Sequence, residues 1–236
     1  MSGARLDGRT AVITGASRGI GSLTAAALVK EGARVVSLSR TAPPDSAGIE
    51  HVECDVTKAA SVAEAAKQTV ELLGGAPDIL INNAGIFKVG SLDSMSVGAF
   101  TEVVGTNLFG PFFILNAFLG GMKKRGGGHV ITIGSIADRN AFKENGAYSA
   151  AKYALRGMQE VLRAELRGTG VRSTLVSPSA VDTTIWDPLA DGSGNPAGKF
   201  PPRTAMLLGE DVVAAIIFAL TLPERANVDE LRLSRS

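Results

Sequence analysis

The stretch TAVITGASRGIG, residues 10–21, decides the fold. Its first half is a short run of apolar and β-branched residues, which is typical of a buried strand. The glycines Gly15, Gly19 and Gly21 then allow a tight turn and a close approach of the backbone to another group. A helical pattern follows over 20–31, and a helix N-terminus attracts anions such as phosphate. The sequence therefore predicts a strand–turn–helix unit that binds a phosphate-bearing ligand.

Strand-like and helix-like patterns alternate along the rest of the chain. The predicted strands are 10–14, 33–38, 51–54, 78–81, 129–134, 171–176 and 230–233. The predicted helices lie near 20–31, 58–73, 97–124, 147–168 and 210–221. Such alternation indicates right-handed βαβ crossovers and a parallel sheet covered on both faces. We therefore expect an α/β fold with a doubly wound parallel sheet of the Rossmann type, in which ligands bind at the carboxyl ends of the strands.

The length favours a single domain over 1–236, because doubly wound folds of this size do not need to divide. The one long stretch without clear periodicity is 182–209. Loops of this length inside a domain often serve as lids or binding loops, and Trp186, Leu189 and Phe200 give this one apolar side chains. We predict that it is a lid over the substrate.

Composition and charge narrow the classes of partner and the compartment. A formal net charge of +1 argues against nucleic acid and against a charged membrane surface. The single cysteine, Cys54, excludes an intrachain disulfide and disfavours a structural zinc site. We expect no bound metal. No uninterrupted apolar run reaches the roughly 18 residues of a membrane span, and the first ten residues lack a signal peptide. We expect a cytoplasmic protein that acts on a small molecule.

Five further motifs follow the glycine turn in order along nearly the whole chain. Asp55 follows the third predicted strand, NNAG at 82–85 follows the fourth and Ser135 ends the fifth. Asn107 lies in the long predicted helix, and YSAAK spans 148–152. On these motifs and the spacing Gly-x-x-x-Gly-x-Gly, the sequence resembles the short-chain dehydrogenase/reductase family.

Tyr148 and Lys152 lie four residues apart, so on a helix both side chains share one face. A free tyrosine is only about 0.1% ionised at neutral pH, and a nearby cation would lower its pKa. The resemblance implies that Tyr148 is the general acid/base, and that Lys152, helped by the positive charge of an oxidised nicotinamide, lowers its pKa. It further implies that Lys152 binds the nicotinamide ribose and that Ser135 hydrogen-bonds the substrate oxygen. It also implies that Asn107 completes a catalytic tetrad that relays protons through water.

Pro111 lies four residues after Asn107 and has no N–H to donate to the Asn107 carbonyl. We therefore predict a helix kink there that frees this carbonyl to accept a hydrogen bond from water or from Lys152.

The resemblance further implies a bound nicotinamide dinucleotide. The residues expected to bind it are Gly15, Ser17, Arg18, Gly19, Ile20, Gly21, Ser39, Arg40, Asp55, Val56, Asn83, Ala84, Gly85, Tyr148, Lys152, Pro178, Val181 and Thr183. Enzymes that prefer NAD place an acidic residue at the end of the second strand. That position holds Ser39, followed by Arg40 and facing Arg18 of the glycine turn, so we predict NADP(H).

The sequence departs from the family at two places. Ser179 occupies a position where glycine is common, which could narrow the nicotinamide pocket or change the backbone. The chain stops soon after the last predicted strand without the Gly-Gly ending of 3-oxoacyl carrier-protein reductases, which makes that substrate doubtful.

We expect an oxidoreductase that transfers a hydride between NADP(H) and a small carbonyl compound or secondary alcohol, assembled as a homodimer or homotetramer through the apolar face of helix 97–124. Apolar side chains should wall the substrate pocket, although three charged ones could turn inward. The apolar set is Phe87, Val89, Ile136, Phe142, Trp186 and Leu189, and the charged set is Asp138, Arg139 and Lys143.

Two alternatives stay open, namely a catalytically idle NADP(H)-sensing regulator on the same fold and a nucleotide-sugar epimerase or dehydratase. The intact tetrad disfavours the regulator, and the short C-terminal part disfavours the epimerase.

Overall fold

The structure is a computed structural model that describes residues 5–44, 48–187 and 201–236. In these ranges one parallel sheet of seven strands has the order β3-β2-β1-β4-β5-β6-β7. The strands are β1 (Thr10–Thr14), β2 (Arg34–Ser39), β3 (Ile49–Glu53), β4 (Ile79–Asn82), β5 (Gly128–Ile133), β6 (Val171–Pro178) and β7 (Glu230–Leu233).

Helices cover both faces of the sheet. They are α1 (Gly19–Lys30), α2 (Ala59–Leu73), α3 (Val97–Val104), α4 (Gly110–Arg125), α5 (Gly146–Glu165) and α6 (Gly209–Leu220). Buried side chains of α1 and α6 pack on one face, and those of α2, α4 and α5 pack on the other. Alternate residues of a strand point to opposite faces, so within β1 Ile13 joins the first core and Val12 the second. Because both faces are covered, the strands are apolar almost throughout.

The predicted fold class is confirmed, and the predicted strands and helices correspond to these elements with ends displaced by a few residues. The chain runs outward from β1 to β3 on one side and from β4 to β7 on the other. The strand order therefore reverses between β1 and β4, and a crevice opens at such a reversal beyond the carboxyl ends of the strands.

The long predicted helix over 97–124 is divided by a π-helical turn at Gly105–Phe109. The amide of Gly110 donates to the carbonyl of Gly105, five residues back. Pro111 directly follows and cannot donate to the carbonyl of Asn107, which is the local reason for an irregularity here. The structure thus has a π turn in place of the predicted simple kink, and such turns often lie at functional sites.

The same stretch, Val97–Arg125, is long and apolar enough to cross a membrane by length and composition alone. The sequence-based expectation counted only uninterrupted apolar runs and therefore did not identify it. In the structure 39% of its most apolar window is buried. Ile114, Phe118 and Met122 are fully buried in the core against the sheet, so crossing a membrane would remove them from the core.

Candidate active site

A cavity of about 910 Å³ opens where the strand order reverses, and it is the centre of the predicted site. Every residue assigned to catalysis or cofactor binding from the sequence lies in its wall, from Gly15 of the glycine turn to Thr183 after β6. The fold thus brings together residues that are almost 170 positions apart in the chain.

Backbone geometry at the glycine turn explains two of its glycines. Gly15 has φ +70°, and a Cβ there would lie 2.9 Å from the Cα of Ala84. A Cβ on Gly21 would lie 2.3 Å from the carbonyl oxygen of Gly15. Any larger side chain would therefore fill the turn or push it away from β4, and the bare backbone leaves the first amides of α1 free to face a phosphate.

Hydrogen bonds fasten this turn to the end of β4. The buried hydroxyl of Thr14 accepts from the amides of Asn83 and Ala84, each at 3.0 Å. In return the side-chain amide of Asn83 donates to the carbonyls of Thr14 at 2.9 Å and Gly15 at 3.2 Å. Thr14 was missed from the sequence, although it is the residue that directly precedes the turn.

The end of β2 carries the side chains predicted to choose the cofactor. Ser39 donates to the carbonyl of Thr41 at 2.7 Å, which holds the strand end in place. Arg18 and Arg40 are exposed, line the cavity, and form no ion pair with any described residue. Asp55 is engaged locally, because it accepts from the amide and the hydroxyl of Thr57 at 3.0 and 2.7 Å. Two guanidinium groups therefore lie at this end of the cavity, and no carboxylate of a described residue is paired with them.

Ser135, Tyr148 and Lys152 converge at the other end. Ser135 follows β5, and its hydroxyl accepts from the amide of Ala137 at 3.1 Å. The ammonium of Lys152 lies 5.5 Å from the centre of the Tyr148 ring and donates to the Ile133 carbonyl at 2.8 Å. One turn of α5 thus positions the tyrosine and the lysine together, as the four-residue spacing predicts.

Asn107 lies in the π turn beside this group. Its side-chain amide donates to the carbonyls of Ile86 at 2.8 Å and Val103 at 2.9 Å. Its Oδ1 is buried without a partner in the described part of the chain. Of the two partners predicted for the Asn107 carbonyl, Lys152 donates instead to the Ile133 carbonyl, which leaves water.

Burial controls the protonation of the central pair. Burial raises the pKa of Tyr148 to about 12, hydrogen bonding with Ser135 lowers it in part, and the charge of Asp138 raises it further. Burial lowers the pKa of Lys152 to about 8, against a raising effect of Asp138. Loss of hydration therefore dominates in the protein alone, and the lowering of the Tyr148 pKa by Lys152 together with an oxidised nicotinamide stays a prediction. At neutral pH the tyrosine holds its proton and can donate it.

Asp138 is fully buried, and its backbone amide donates to the Ser135 carbonyl at 2.9 Å. It accepts from the Ser177 hydroxyl at 2.7 Å and from the Arg139 side chain at 2.7 Å, and Arg139 also pairs with Glu230 of β7. Asp138 and Arg139 are therefore committed to each other and do not turn toward the substrate. Of the three charged residues considered from the sequence, Lys143 is the one that lines the cavity.

Aromatic rings form the wall next to Tyr148. The Phe87 ring lies edge-on to the rings of Tyr148 and Trp186, with distances between ring centres of 5.0 and 5.2 Å. Trp186 is oriented by its indole N–H, which donates to the Val181 carbonyl at 2.8 Å. Asn145 also lines the cavity and was missed, because nothing in its local sequence separates it from an ordinary turn residue.

The predicted lid is described only at its two ends. Residues 188–200, including Leu189 and Phe200, lie outside the described residues. Arg203 joins the ends, since it donates to both Asp182 and Asp187 at 2.6 Å.

Ser179, which stands where the family commonly has glycine, has an ordinary backbone conformation. Ser179 lines the cavity, its amide donates to the Leu233 carbonyl at 2.8 Å, and it has no positive φ. Serine therefore fits this position without backbone strain.

Comparison with known proteins identifies the family. The family model described as short chain dehydrogenase matches residues 9–193. An uncharacterised oxidoreductase of Staphylococcus haemolyticus is 34% identical over 234 residues and aligns over 96% of each chain. D-threitol dehydrogenase of Mycolicibacterium smegmatis is 32% identical over 91% of this chain and 86% of its own.

A solved structure has the same architecture. A metagenomic short-chain oxidoreductase in complex with NADP superposes with a TM-score of 0.79 at 28% identity, over 98% of this chain and all of that one. With the parallel sheet, the glycine turn and the Tyr148–Lys152 pair in place, the chain belongs to the short-chain dehydrogenase/reductase family of oxidoreductases, which bind NAD or NADP.

Proposed function

We propose that the protein transfers a hydride between NADP(H) and a small carbonyl compound or secondary alcohol, with Tyr148 as the acid/base. One observation carries this proposal: a single cavity joins the glycine turn, where a phosphate fits, to Ser135, Tyr148 and Lys152. The glycine turn would hold the phosphates of a dinucleotide, and Lys152 would hold its nicotinamide ribose next to Tyr148.

The residues of this chain divide the work of reduction. NADPH, when bound, supplies the hydride that adds to the carbonyl carbon. Tyr148 gives its proton to the carbonyl oxygen, and Ser135 hydrogen-bonds that oxygen while negative charge develops on it. Lys152 is placed to bind the ribose and to hand a proton on to Tyr148, and the unpartnered Oδ1 of Asn107 can order a water in the relay. The high pKa of Tyr148 in the protein alone suits the donor role.

The cofactor preference rests on charge. Arg18 and Arg40 can bind the 2′-phosphate of NADP, whereas no acidic side chain at the end of β2 offers a partner to the 2′-hydroxyl of NAD. The metagenomic relative binds NADP, which agrees with this choice.

The substrate proposal rests on the wall of the cavity. Phe87, Ile136 and Trp186 favour a compound with an apolar or aromatic body. The name of the D-threitol relative points instead to a polyol. Both suggestions require a neutral carbonyl or alcohol carbon beside Tyr148.

We also propose that the protein forms a homodimer or homotetramer in the cytoplasm. Phe109 lies in the π turn and Phe112 near the start of α4, and these residues are 50% and 48% exposed. A second copy would cover these rings, which are continuous with the apolar stretch already described. The free, buried Cys54 is compatible with a reducing compartment.

An assay of NADPH consumption with a panel of ketones, aldehydes and sugars tests the proposal. We expect turnover of at least one class, with alcohol formed in proportion to NADPH consumed. Binding of NADPH without turnover of any member would favour the regulator, and conversion of a nucleotide-sugar without net NADPH consumption would favour the epimerase.

A further inference from the structure

The side-chain oxygen Oδ1 of Asn145 is buried without a hydrogen-bond partner among the described residues, and Asn145 is only 6% exposed and lines the cavity. Its backbone is satisfied, since its amide donates to the Phe142 carbonyl and its carbonyl accepts from Ser149. A buried amide oxygen without a partner is costly, so such atoms usually have one that the isolated protein does not supply.

The position of Asn145 places this amide on the substrate side of the cavity. It directly precedes α5 and lies three residues before Tyr148, so the two side chains are neighbours at the start of that helix. The loop before α5 is fixed to the segment that follows Phe87, because the Gly90 amide donates to the Glu144 carbonyl at 2.9 Å. The residues expected to bind the nicotinamide, Val181 and Thr183, follow β6 and form a separate part of the cavity wall.

We propose that Asn145 determines specificity by hydrogen-bonding a hydroxyl group on the substrate, one or two carbons from the reacting carbonyl. The substrate would then be a neutral hydroxy ketone, or the matching diol, whose remainder packs on Phe87 and Trp186. The unpartnered Oδ1 can only accept, and a substrate hydroxyl group can donate to it. The amide carries no charge, so it selects a neutral polar group and does not compensate a carboxylate.

This inference rests on the proposed carbonyl reduction, so the test uses ketones that differ only at the recognised group. Propiophenone and α-hydroxyacetophenone differ by a methyl group in place of a hydroxyl group. Butyrophenone and β-hydroxypropiophenone make the same comparison one carbon further out. For each pair we measure kcat/KM with NADPH in the unmodified protein and in Asn145→Ala.

We expect Asn145→Ala to lower kcat/KM for the hydroxy member of at least one pair about ten-fold relative to its methyl partner, which is the effect of one neutral hydrogen bond. Comparing the ratio between proteins removes the intrinsic difference in reactivity of the two ketones. The affinity for NADPH should stay unchanged, which a contact with the cofactor would not allow.

Asn140→Ala is the matched control, because Asn140 lies in the same loop, is exposed, and does not line the cavity. It should leave every ratio unchanged. If Asn145→Ala does not fold, Asn145→Leu keeps the size of the side chain and carries the same comparison.

The two proposals fail in different ways. The role of Asn145 would be overturned if the ketones are reduced but the ratio of kcat/KM between hydroxy and methyl partners is the same in the unmodified protein and the Asn145 variant. Carbonyl reduction would still stand. No reduction of any of the four ketones would count against the proposed function in this substrate class and against the inference with it.

Discussion

The two halves of the cavity are built on different principles. The nucleotide half is made of backbone: Gly15 and Gly21 leave space that a Cβ would fill, and Thr14 and Asn83 lock the turn to β4. The substrate half is made of side chains, with Phe87, Trp186 and Asn145 brought in from separate segments.

The difference predicts that the two halves respond differently to substitution. A backbone cradle tolerates few substitutions, because each glycine is required by a close approach of main-chain atoms. A wall of side chains can be replaced one residue at a time without disturbing the sheet. Substitutions in each half should therefore separate cofactor binding from turnover, and the following predictions test that separation.

The largest effect is expected for Tyr148→Phe. Removal of the hydroxyl group removes the proton donor, which should lower the rate of carbonyl reduction by about 10² to 10⁴. The affinity for NADPH, measured by fluorescence, should change little because its contacts lie mostly in the other half. Tyr153→Phe on the same helix is the control, since Tyr153 is 42% exposed and outside the cavity wall. A Tyr148→Phe protein that keeps most of its activity would show that another group gives the proton.

The next largest effect is expected for Arg40→Asp. Loss of one charge-assisted contact and gain of a repelling carboxylate should lower the preference for NADPH over NADH by about 10². The ratio of kcat/KM for the two cofactors measures it, with a fixed ketone. Arg225→Asp makes the same charge change at an exposed residue outside the cavity wall and should not alter the ratio. An unmodified protein that works equally well with NADH would contradict the NADP(H) assignment.

A smaller effect is expected for Gly21→Ala. The new Cβ would lie 2.3 Å from the Gly15 carbonyl oxygen, so the turn must shift, and NADPH affinity should fall about 10- to 100-fold. Gly120→Ala is the matched control, because nothing described lies within 4 Å of a Cβ at that helical position. It should leave affinity unchanged and slightly stabilise the helix. Equal affinities of the two variants would show that the turn does not need to be bare.

The sequence could predict the backbone half almost completely and the side-chain half only in part. The glycine turn, Ser135 and the Tyr148–Lys152 spacing are local patterns, and local patterns determine where strands end and which helix face is shared. Asn145 and the Asp138–Ser177 bond could not be read, because they depend on contacts between segments distant in the chain. Spacing shows the cation near Tyr148 but not the depth of burial, which raises the pKa of this tyrosine in the protein alone.

The smallest effect is expected for Asp138→Asn, which tests whether the buried carboxylate of Asp138 sets the pKa of Tyr148. The Asp138 carboxylate accepts from Ser177 of β6, and the Asp138 amide donates to the Ser135 carbonyl. Asp138 therefore connects the end of β6 to the end of β5. Burial raises the pKa of Tyr148 to about 12, with Asp138 among the contributing causes, and Asp138 also raises the pKa of Lys152.

Asparagine can keep the bonds to Ser177 and Arg139 while removing the negative charge, so the pKa of Tyr148 should fall. Alcohol oxidation requires the deprotonated tyrosine as base, and it should therefore begin at lower pH in the variant than in the unmodified protein. The groups packed around this site are Lys152 on α5, Arg139 beside Asp138, and Glu230 on β7. Glu230→Gln is the control, because it removes a carboxylate that is not among the causes that act on Tyr148. The measurement is the pH profile of kcat/KM for oxidation with NADP, and a profile that stays in place or moves to higher pH in Asp138→Asn would show that the buried carboxylate does not tune the tyrosine.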